Sequence, residues 1–365
     1  MYGNLRRKRP APVKKFAVFS GFLGSGKTTT MMALTKYLTQ NHGAAAMISN
    51  DLGTQSLADN KLAQLSGCAA SELTGKCICY QTENLVARLD RLFDEGKNQL
   101  VISDIPGFGV GALDHVYHTL HSRYPGRYTL APFTVLVEPR TVTLLQEDRG
   151  GDLSYILRTQ LLEADLIVLN KCDLISREEG AEILAWLERA CPQARAIGIS
   201  ALTGEGLETL SQALLHGTAS LRLPDIGYGG AEFSAAMGKM AEFYVQYYAT
   251  VCCDDFDGNA YLLALAEYAA KGIGAAGGEI PHLKLLAWEP EGDFGKADLL
   301  GTDRPVSLTR AFSAPCTQLA VMLNASAACP SHVLDRVLTE AMEQVSGEFN
   351  LELVLYRKEC FGMGG

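Results

Sequence analysis

The run Ser20-Gly21-Phe22-Leu23-Gly24-Ser25-Gly26-Lys27-Thr28-Thr29 fits G-x-x-x-x-G-K-[ST], the spacing of a phosphate-binding P-loop. Phe16 to Ser20 read as a buried strand before it. Thr28 to Asn41 read as a helix after it, with Met31, Leu34 and Leu38 on one side. Strand, loop and helix together are the context in which the motif works. Glycines let backbone N–H groups turn inward around phosphates, at a helix N-terminus that favours anions. In that arrangement Gly21, Gly24, Ser25, Gly26 and Thr29 line the phosphates, Lys27 reaches the β- and γ-phosphates, and Thr28 holds Mg²⁺. A chance match in a chain with 36 glycines is the competing reading, and the flanking strand and helix argue against it.

A second signal identifies the base. Leu166-Ile-Val-Leu-Asn170-Lys171-Cys172-Asp173 is an apolar strand ending in N-K-x-D. A carboxylate at Asp173 accepts from both the N1–H and the N2 amino group of guanine. Adenine offers neither, and sites built on such bonds reject the wrong ligand by factors of about 10⁴–10⁵. Downstream, Ala196-Ile-Gly-Ile-Ser200-Ala201 ends another strand, and Ser200-Ala201 suits backbone support of the guanine O6. Between them, Leu100-Val-Ile-Ser-Asp104-Ile-Pro-Gly107 ends in D-x-x-G. Asp104 is placed near Mg²⁺, and the Gly107 N–H is placed to sense the γ-phosphate, which makes the following loop a switch. A strand capped by a plain turn is the alternative. Phe108 stands where a water-orienting glutamine is common, so slow intrinsic turnover is expected.

Residues 15 to about 220 alternate strand and helix. Strands are expected at Phe16–Ser20, Ala44–Asn50, Leu100–Asp104, Thr134–Glu138, Leu166–Asn170 and Ala196–Ser200. The apolar spacing of Gln81–Phe93 is helical, and Ser176-x-x-Glu179 is a capping box for a helix through Ala190. The pattern predicts an α/β P-loop fold: a mostly parallel sheet flanked by helices, with the motifs at the carboxyl ends of its strands. Residues 223–230 read as a linker. Beyond it, strands at Phe243–Val251, His282–Glu289, Val306–Phe312, Gln318–Asn324 and Leu351–Arg357, with helices at Asn259–Lys271 and Ser331–Val345, make a smaller α+β domain over 231–365. Cys360 to Gly365 read as a flexible tail. Cys252-Cys253-Asp254-Asp255 reads as a strand end and turn rather than a metal site.

The 365-residue length suits two domains. A net charge of −9 argues against nucleic-acid partners. Arg6-Arg7-Lys8-Arg9 with Lys14 and Lys15 is the exception, and residues 1–14 read as a basic, solvated tail. No run of about 18 apolar residues is present to span a membrane, and the N-terminus lacks the apolar core of a signal peptide. A cytoplasmic location is therefore expected, with the 10 cysteines as thiols or metal ligands rather than disulfides.

Cys77-Ile78-Cys79 falls between the P-loop and D-x-x-G, in a region that feels the nucleotide state. Thiolates two residues apart can share a soft metal such as Zn²⁺, Co²⁺ or Ni²⁺. Two sulfurs do not complete a tetrahedral site; Cys68, Asp51 or a partner protein could supply the rest, and two ordinary thiols in a turn is the competing reading. His115, His118 and His121 could chelate in pairs, but an exposed helix face is the simpler reading.

Four segments together resemble the CobW-like family of cobalamin-synthesis-type and metal-chaperone GTPases: Gly21–Thr29, Asn50-Asp51-Leu52-Gly53, Glu72–Cys79 and Asn170-Lys171-x-Asp173. The likeness covers about the first 220 residues, and Pro281-His-Leu-Lys284 resembles the family's variable C-terminal domain. Departures are Tyr80 in place of a third cysteine, Lys76 for a glycine, Asp104 for the Walker-B glutamate and Asp51 for a glutamate. The resemblance implies GTP/GDP and Mg²⁺ as ligands, with Asp51 supporting the ion. It implies a GTP-hydrolysing metallochaperone or cofactor-maturation factor. The partner is a client metalloenzyme or corrinoid protein, and a homodimer is compatible. Loops 51–80 and 104–112 would relax on hydrolysis. Two alternatives share the nucleotide site: a GTPase gating a corrinoid or nickel enzyme by protein contact alone, and a purely regulatory GTP switch. A small-molecule kinase would leave N-K-x-D without a purpose.

Overall fold

Short apolar runs dictate the centre of the molecule. The computed structural model describes residues 14–54, 58–147, 151–226, 230–252, 254–290 and 292–363. The runs of the first half form β1 (Lys15–Gly21), β2 (Ala45–Asn50), β3 (Ala70–Leu73), β4 (Leu100–Asp104), β5 (Thr129–Leu130), β6 (Thr134–Val137), β7 (Leu166–Leu169) and β8 (Arg195–Gly198). Among the described residues these pair in parallel in the order β3-β2-β4-β1-β6-β7-β8, with β5 beside β1. A parallel strand is buried on both faces, so Phe16–Phe19 and Leu166–Leu169 are continuously apolar and fully covered. β3 lies outside the expected strands because it is an edge: Ala70, Ser71 and Glu72 are only half-buried.

Helices α1 (Lys27–Asn41), α2 (Ala58–Leu65), α3 (Thr82–Asp94), α4 (Thr119–Arg123), α5 (Pro139–Gln146), α6 (Gly151–Glu163), α7 (Arg177–Ala190), α8 (Leu207–His216) and α9 (Ala231–Met237) accompany this sheet. α1 and α8 cover one face through Met31, Leu34, Leu38, Leu207, Leu210 and Leu214. α3 to α7 cover the other, with Leu85, Leu89, Ile156 and Leu187 among the anchors. α7 opens on the capping box: the Ser176 hydroxyl accepts the Glu179 N–H at 3.2 Å, and Glu179 accepts the Ser176 N–H at 2.9 Å. The helix carrying the three histidines begins as a π-helical turn over Leu113–His118 and continues as α4.

The second half forms β9 (Met240–Val251), α10 (Gly258–Ala275), β10 (Glu279–Trp288), β11 (Phe294–Leu299), β12 (Ser307–Arg310), β13 (Gln318–Ala328), α11 (Ser331–Glu348) and β14 (Leu351–Gly362). Its described strands make an antiparallel sheet in the order β12-β11-β10-β13-β9-β14. α10 and α11 pack on one face around Tyr261, Leu265, Leu334 and Leu338. β11 is not legible as a strand because its centre carries Lys296 and Asp298, which bond to each other on the face turned toward the first domain. The expected C-terminal tail is corrected: Cys360, Phe361 and Gly362 pair with Phe243, Glu242 and Ala241, and the Phe361 ring stacks on Tyr244 at 6.1 Å. Strand pairing along β9 satisfies backbone groups that a free tail would leave to water.

The sheet face opposite α10 and α11 leans on the first domain, where Leu286, Phe294 and Met322 meet Ala58 and Leu62 of α2. Lys14 is tied to Asp94 at 2.6 Å. The Arg6–Arg9 run, Gly227–Gly229 of the linker segment, Cys253 and the last two glycines lie outside the described residues. No described helix is long and apolar enough to cross a membrane.

The strand that feeds the P-loop is fixed from below. The Val18 N–H donates to the oxygen of the buried Tyr117 at 2.9 Å. Tyr117→Phe leaves that N–H without its acceptor and should lower stability by about 1–3 kcal/mol, read as an earlier chemical-denaturation midpoint. An unchanged midpoint would mean that the strand finds another acceptor.

Candidate functional site

β1 delivers the chain into the P-loop, and α1 starts at Lys27 with no side chain capping its N-terminus. Gly26 has φ +89°, and a Cβ there would lie 2.3 Å from the Asn170 Nδ2. Only glycine fits both demands. The Lys27 ammonium donates back to the carbonyls of Gly21 at 2.6 Å and Phe22 at 3.3 Å. Burial lowers its pKa to about 8, against the pull of nearby Asp104. The Ser25 hydroxyl is buried in the loop with no partner. Unspent donors at an uncapped helix start suit the oxygens of a phosphate.

Beside the loop lies a set of hard oxygens. The Thr28 hydroxyl donates to Asp59 Oδ2 at 2.7 Å, and Lys284 Nζ donates to the same oxygen at 2.6 Å. Burial pushes the Asp59 carboxyl up, but the Lys284 ammonium and both hydrogen bonds overcome this and hold it below the usual carboxylate range. Asp104, at the end of β4, accepts the Asn50 N–H at 2.7 Å. Burial, with the Asp59 charge adding to it, raises Asp104 to about 7. Asp51 faces the second domain instead, accepting the Tyr244 hydroxyl at 2.8 Å. Thr28, Asp59 and Asp104 are the donor chemistry that Mg²⁺ prefers, completed by phosphates and water. Asp59 carried no signal in the sequence: it sits among Ala58, Asn60 and Lys61 on a short helix.

At the other end of the P-loop, Asn170 is buried and bridges two segments. Its Nδ2 donates to the Ser25 carbonyl at 2.9 Å, and its Oδ1 accepts the Ala201 N–H at 3.0 Å. That N–H is thereby engaged. The Ser200 hydroxyl accepts the Thr203 N–H at 3.1 Å and shapes the same loop. Lys171 takes a left-handed φ of 65° and pairs with Glu138 at 2.5 Å. Asp173 is exposed in the turn that follows.

The D-x-x-G loop crosses the P-loop closely. A Cβ at Gly107 would lie 2.4 Å from Leu23 Cδ2. Two side chains of α6, unsuspected from the sequence, hold this loop. Gln160 donates to the carbonyls of Gly107 and Gly109, each at 3.0 Å. Glu163 accepts the N–H groups of Gly111 at 2.9 Å and Leu113 at 3.0 Å. Phe108 is buried edge-on against Phe22, ring centroids 5.5 Å apart, and has no group to offer a water molecule.

Asn50 joins this site to the cysteines. Its backbone N–H goes to Asp104. Its side chain donates to the Leu73 and Lys76 carbonyls at 2.9 Å and accepts the Ile78 N–H at 2.9 Å. Cys77 and Cys79 are buried with their sulfurs 2.7 Å apart. The bond from Cys77, then burial, raises the Cys79 thiol well above its usual value. Among the described residues no group of three or more His, Cys, Asp and Glu side chains is arranged to hold a metal. Cys68 points to the Met32 carbonyl and Asp51 to Tyr244, so neither supplements the pair. The histidines do not converge either: His118 bonds the Leu221 carbonyl at 2.7 Å, and His115 lies 6.0 Å from the Tyr80 ring. The described cysteines are all free.

Residues 15–197 match the family model described as CobW/HypB/UreG, nucleotide-binding domain, and the chain belongs to that family. The zinc chaperone YeiR of Escherichia coli (strain K12) is 28% identical over 174 residues, which is 47% of this chain and 51% of the relative. The zinc-regulated GTPase metalloprotein activator 1 of Dictyostelium discoideum is 28% identical over 215 residues, 49% of this chain and 44% of the relative. The chain thus spans about half the length of the curated relatives it matches. Among solved structures, the Zn(II)-bound YjiA GTPase from E. coli is 16% identical, covering 90% of this chain and 99% of that one at a TM-score of 0.36. HypB from Helicobacter pylori in complex with nickel is 20% identical, covering 56% of this chain and 86% of that one at a TM-score of 0.40.

The P-loop geometry predicts the outcome of Gly26→Ala. A left-handed alanine costs about 1–2 kcal/mol before its methyl displaces Asn170. Nucleotide affinity should fall by about tenfold or more while the fold persists, measured with a fluorescent GDP and by circular dichroism. Retained affinity would mean that the loop opens differently when filled.

Proposed function

We propose that this chain binds and slowly hydrolyses GTP, and that its nucleotide state governs the handling of a metal or metal-containing cofactor for a client protein. The observation that carries the guanine assignment is the Asn170 bridge, which ties the phosphate loop at Ser25 to the Ser200-Ala201 loop and orients the N-K-x-D turn between them. Gly21, Gly24, Ser25, Gly26 and Thr29 would surround the phosphates, with Lys27 released from its carbonyls to meet them. Thr28 would hold Mg²⁺, with Asp104 and Asp59 beside it. The ion would neutralise charge on the β- and γ-phosphates. Asp173 would read the N1–H and N2 amino group of guanine.

Hydrolysis would pass the γ-phosphoryl group to water. With Phe108 in the loop where a water-orienting side chain is common, turnover without a partner should stay below about 1 s⁻¹. Loss of the γ-phosphate would free the Gly107 N–H. The strain would pass to Gln160 and Glu163 of α6, and through Asp104 and Asn50 to the loop of Cys77 and Cys79. Zinc is the metal named for two relatives, and a soft-metal role for the thiols agrees with it. Among the described residues no third metal-ligating side chain joins the two sulfurs, so a client or a small ligand would complete the coordination. That same fact favours a second reading, in which the protein gates a metalloenzyme by contact and binds no transition metal itself.

Asp173→Asn exchanges an acceptor for an amide. It should cut GTP affinity on the order of 10²-fold or more and raise affinity for the xanthine nucleotide, whose C2 carbonyl replaces the amino group. Unchanged GTP preference would remove guanine recognition from this turn. An anaerobic zinc and cobalt titration with a non-hydrolysable GTP analogue, then with GDP, separates the metal readings. A nucleotide-dependent difference of about tenfold that Cys77→Ser/Cys79→Ser abolishes supports thiol ligation. Equal, weak binding in both states leaves the contact-gating reading.

A further inference from the structure

One charge of the nucleotide site comes from the second domain. Lys284 lies on β10, and its ammonium shares Asp59 Oδ2 with the Thr28 hydroxyl. Thr28 is the residue to which Mg²⁺ is assigned above. Lys284 also lies within electrostatic reach of Asp51, Asp104 and Lys27. The ammonium thus sits among the carboxylates that a divalent cation would otherwise neutralise.

Other second-domain side chains touch the same loops. Leu300 leans on the P-loop, its Cδ2 3.1 Å from where a Gly24 Cβ would be. Tyr244 donates to Asp51 at 2.8 Å. Arg304 lies 3.8 Å from Glu138, the partner of Lys171. β10 is flanked by β11 and β13 within its sheet, so Lys284 is anchored to a rigid body rather than to a loop.

We propose that Lys284 is a tethered counter-ion at the Mg²⁺ position, and that arrival of Mg²⁺ with the nucleotide releases it from Asp59 and loosens the second domain from the nucleotide loops. The idea rests on the GTP reading above. Its physical basis is exclusion of like charge. A buried carboxylate cluster needs a cation, and a divalent ion bound at Thr28 repels an ammonium that already contacts the acid next to it. Exchange of the monovalent ammonium for the divalent ion leaves the carboxylates with a cation beside them in both states, while the tether to the second domain is lost. That makes occupancy of the nucleotide site legible to the second domain.

The test uses the full chain. Fluorescent GDP and a non-hydrolysable GTP analogue are titrated in Mg²⁺ and in EDTA, for the wild type and for Lys284→Met. Removal of the competing cation should raise the gain in affinity that Mg²⁺ confers by about tenfold. In the wild type, acetylation of Lys284, followed by mass spectrometry, should speed up severalfold with Mg²⁺ and analogue, and not with analogue in EDTA. This second readout stands if the variant does not fold. If nucleotide binds but Mg²⁺ dependence is the same in both proteins and Lys284 stays protected, the tether is overturned and the GTP reading survives. A weaker, less Mg²⁺-dependent variant would instead make Lys284 a phosphate ligand, which also overturns it. If neither protein binds guanine nucleotide, the GTP reading falls and the proposal with it.

Discussion

Charge buried at the carboxyl end of the parallel sheet is the constraint around which this structure is arranged. Lys27, Asp51, Asp59, Asp104 and Lys284 lie within electrostatic reach of one another, Asp104 buried and the other four half-buried. Ions in such a place cost several kcal/mol each unless they are paired and hydrogen-bonded. Each solution here recruits another element. Asp104 takes a backbone N–H from β2, Asp59 takes Thr28 and Lys284, and Asp51 takes a tyrosine from β9. Burial, with the Asp59 charge adding to it, still raises Asp104 to about 7, and the three carboxylates outnumber the two lysines. A site left in that condition favours the arrival of cations.

The same constraint accounts for the position of the second domain. Its apolar contact with the first runs over α2, where Ala58 and Leu62 meet Leu286, Phe294 and Met322, and over Met240, Ala328 and Met363, which pack against the first domain's core. Polar bonds carry the rest. The Tyr244 hydroxyl lies between Asp51 at 2.8 Å and Glu242 at 3.3 Å, and Ser326 completes the Glu242 carboxyl at 2.8 Å. Burial, then the Asp51 charge, pushes Glu242 well above the carboxylate range. At the edge of the interface the Thr54 N–H donates to Glu359 at 3.0 Å. Polar bonds at such a seam respond to a change of one charge, whereas purely apolar contacts would hold in every state.

The sequence makes the first domain legible for a physical reason. Parallel strands buried on both faces appear as unbroken apolar runs, and the chemistry of such sheets falls at their carboxyl ends, so Lys27, Thr28, Asp104, Asn170 and Asp173 announce themselves by spacing. What stays hidden is whatever depends on distant pairing. Asp59 looks like a solvent-facing acid until Lys284, 225 residues later, is brought beside it. Gln160 and Glu163 look like the polar side of an amphipathic helix until the D-x-x-G loop is laid over them. β11 and the end of β14 break the apolar alternation and declare themselves strands only through their neighbours' backbones. The cysteine pair was legible as a pair, but its lack of further ligands among the described residues is a fact of three dimensions.

Asn50 shows why signals from this site need not pass through the apolar core. Packed interiors resist small displacements, and a γ-phosphate has little area with which to move them. Asn50 instead spends its backbone N–H on Asp104 and its side chain on the loop of Cys77 and Cys79. A change of charge at Asp104 would reach the Asn50 backbone directly, and three side-chain bonds join that residue to the loop of the thiols. Gln160 and Glu163 do the same for the loop after Gly107. Hydrogen bonds are short-ranged and directional, so each either holds or is replaced. A network of this kind has discrete states, which is what the proposed response to one phosphate requires.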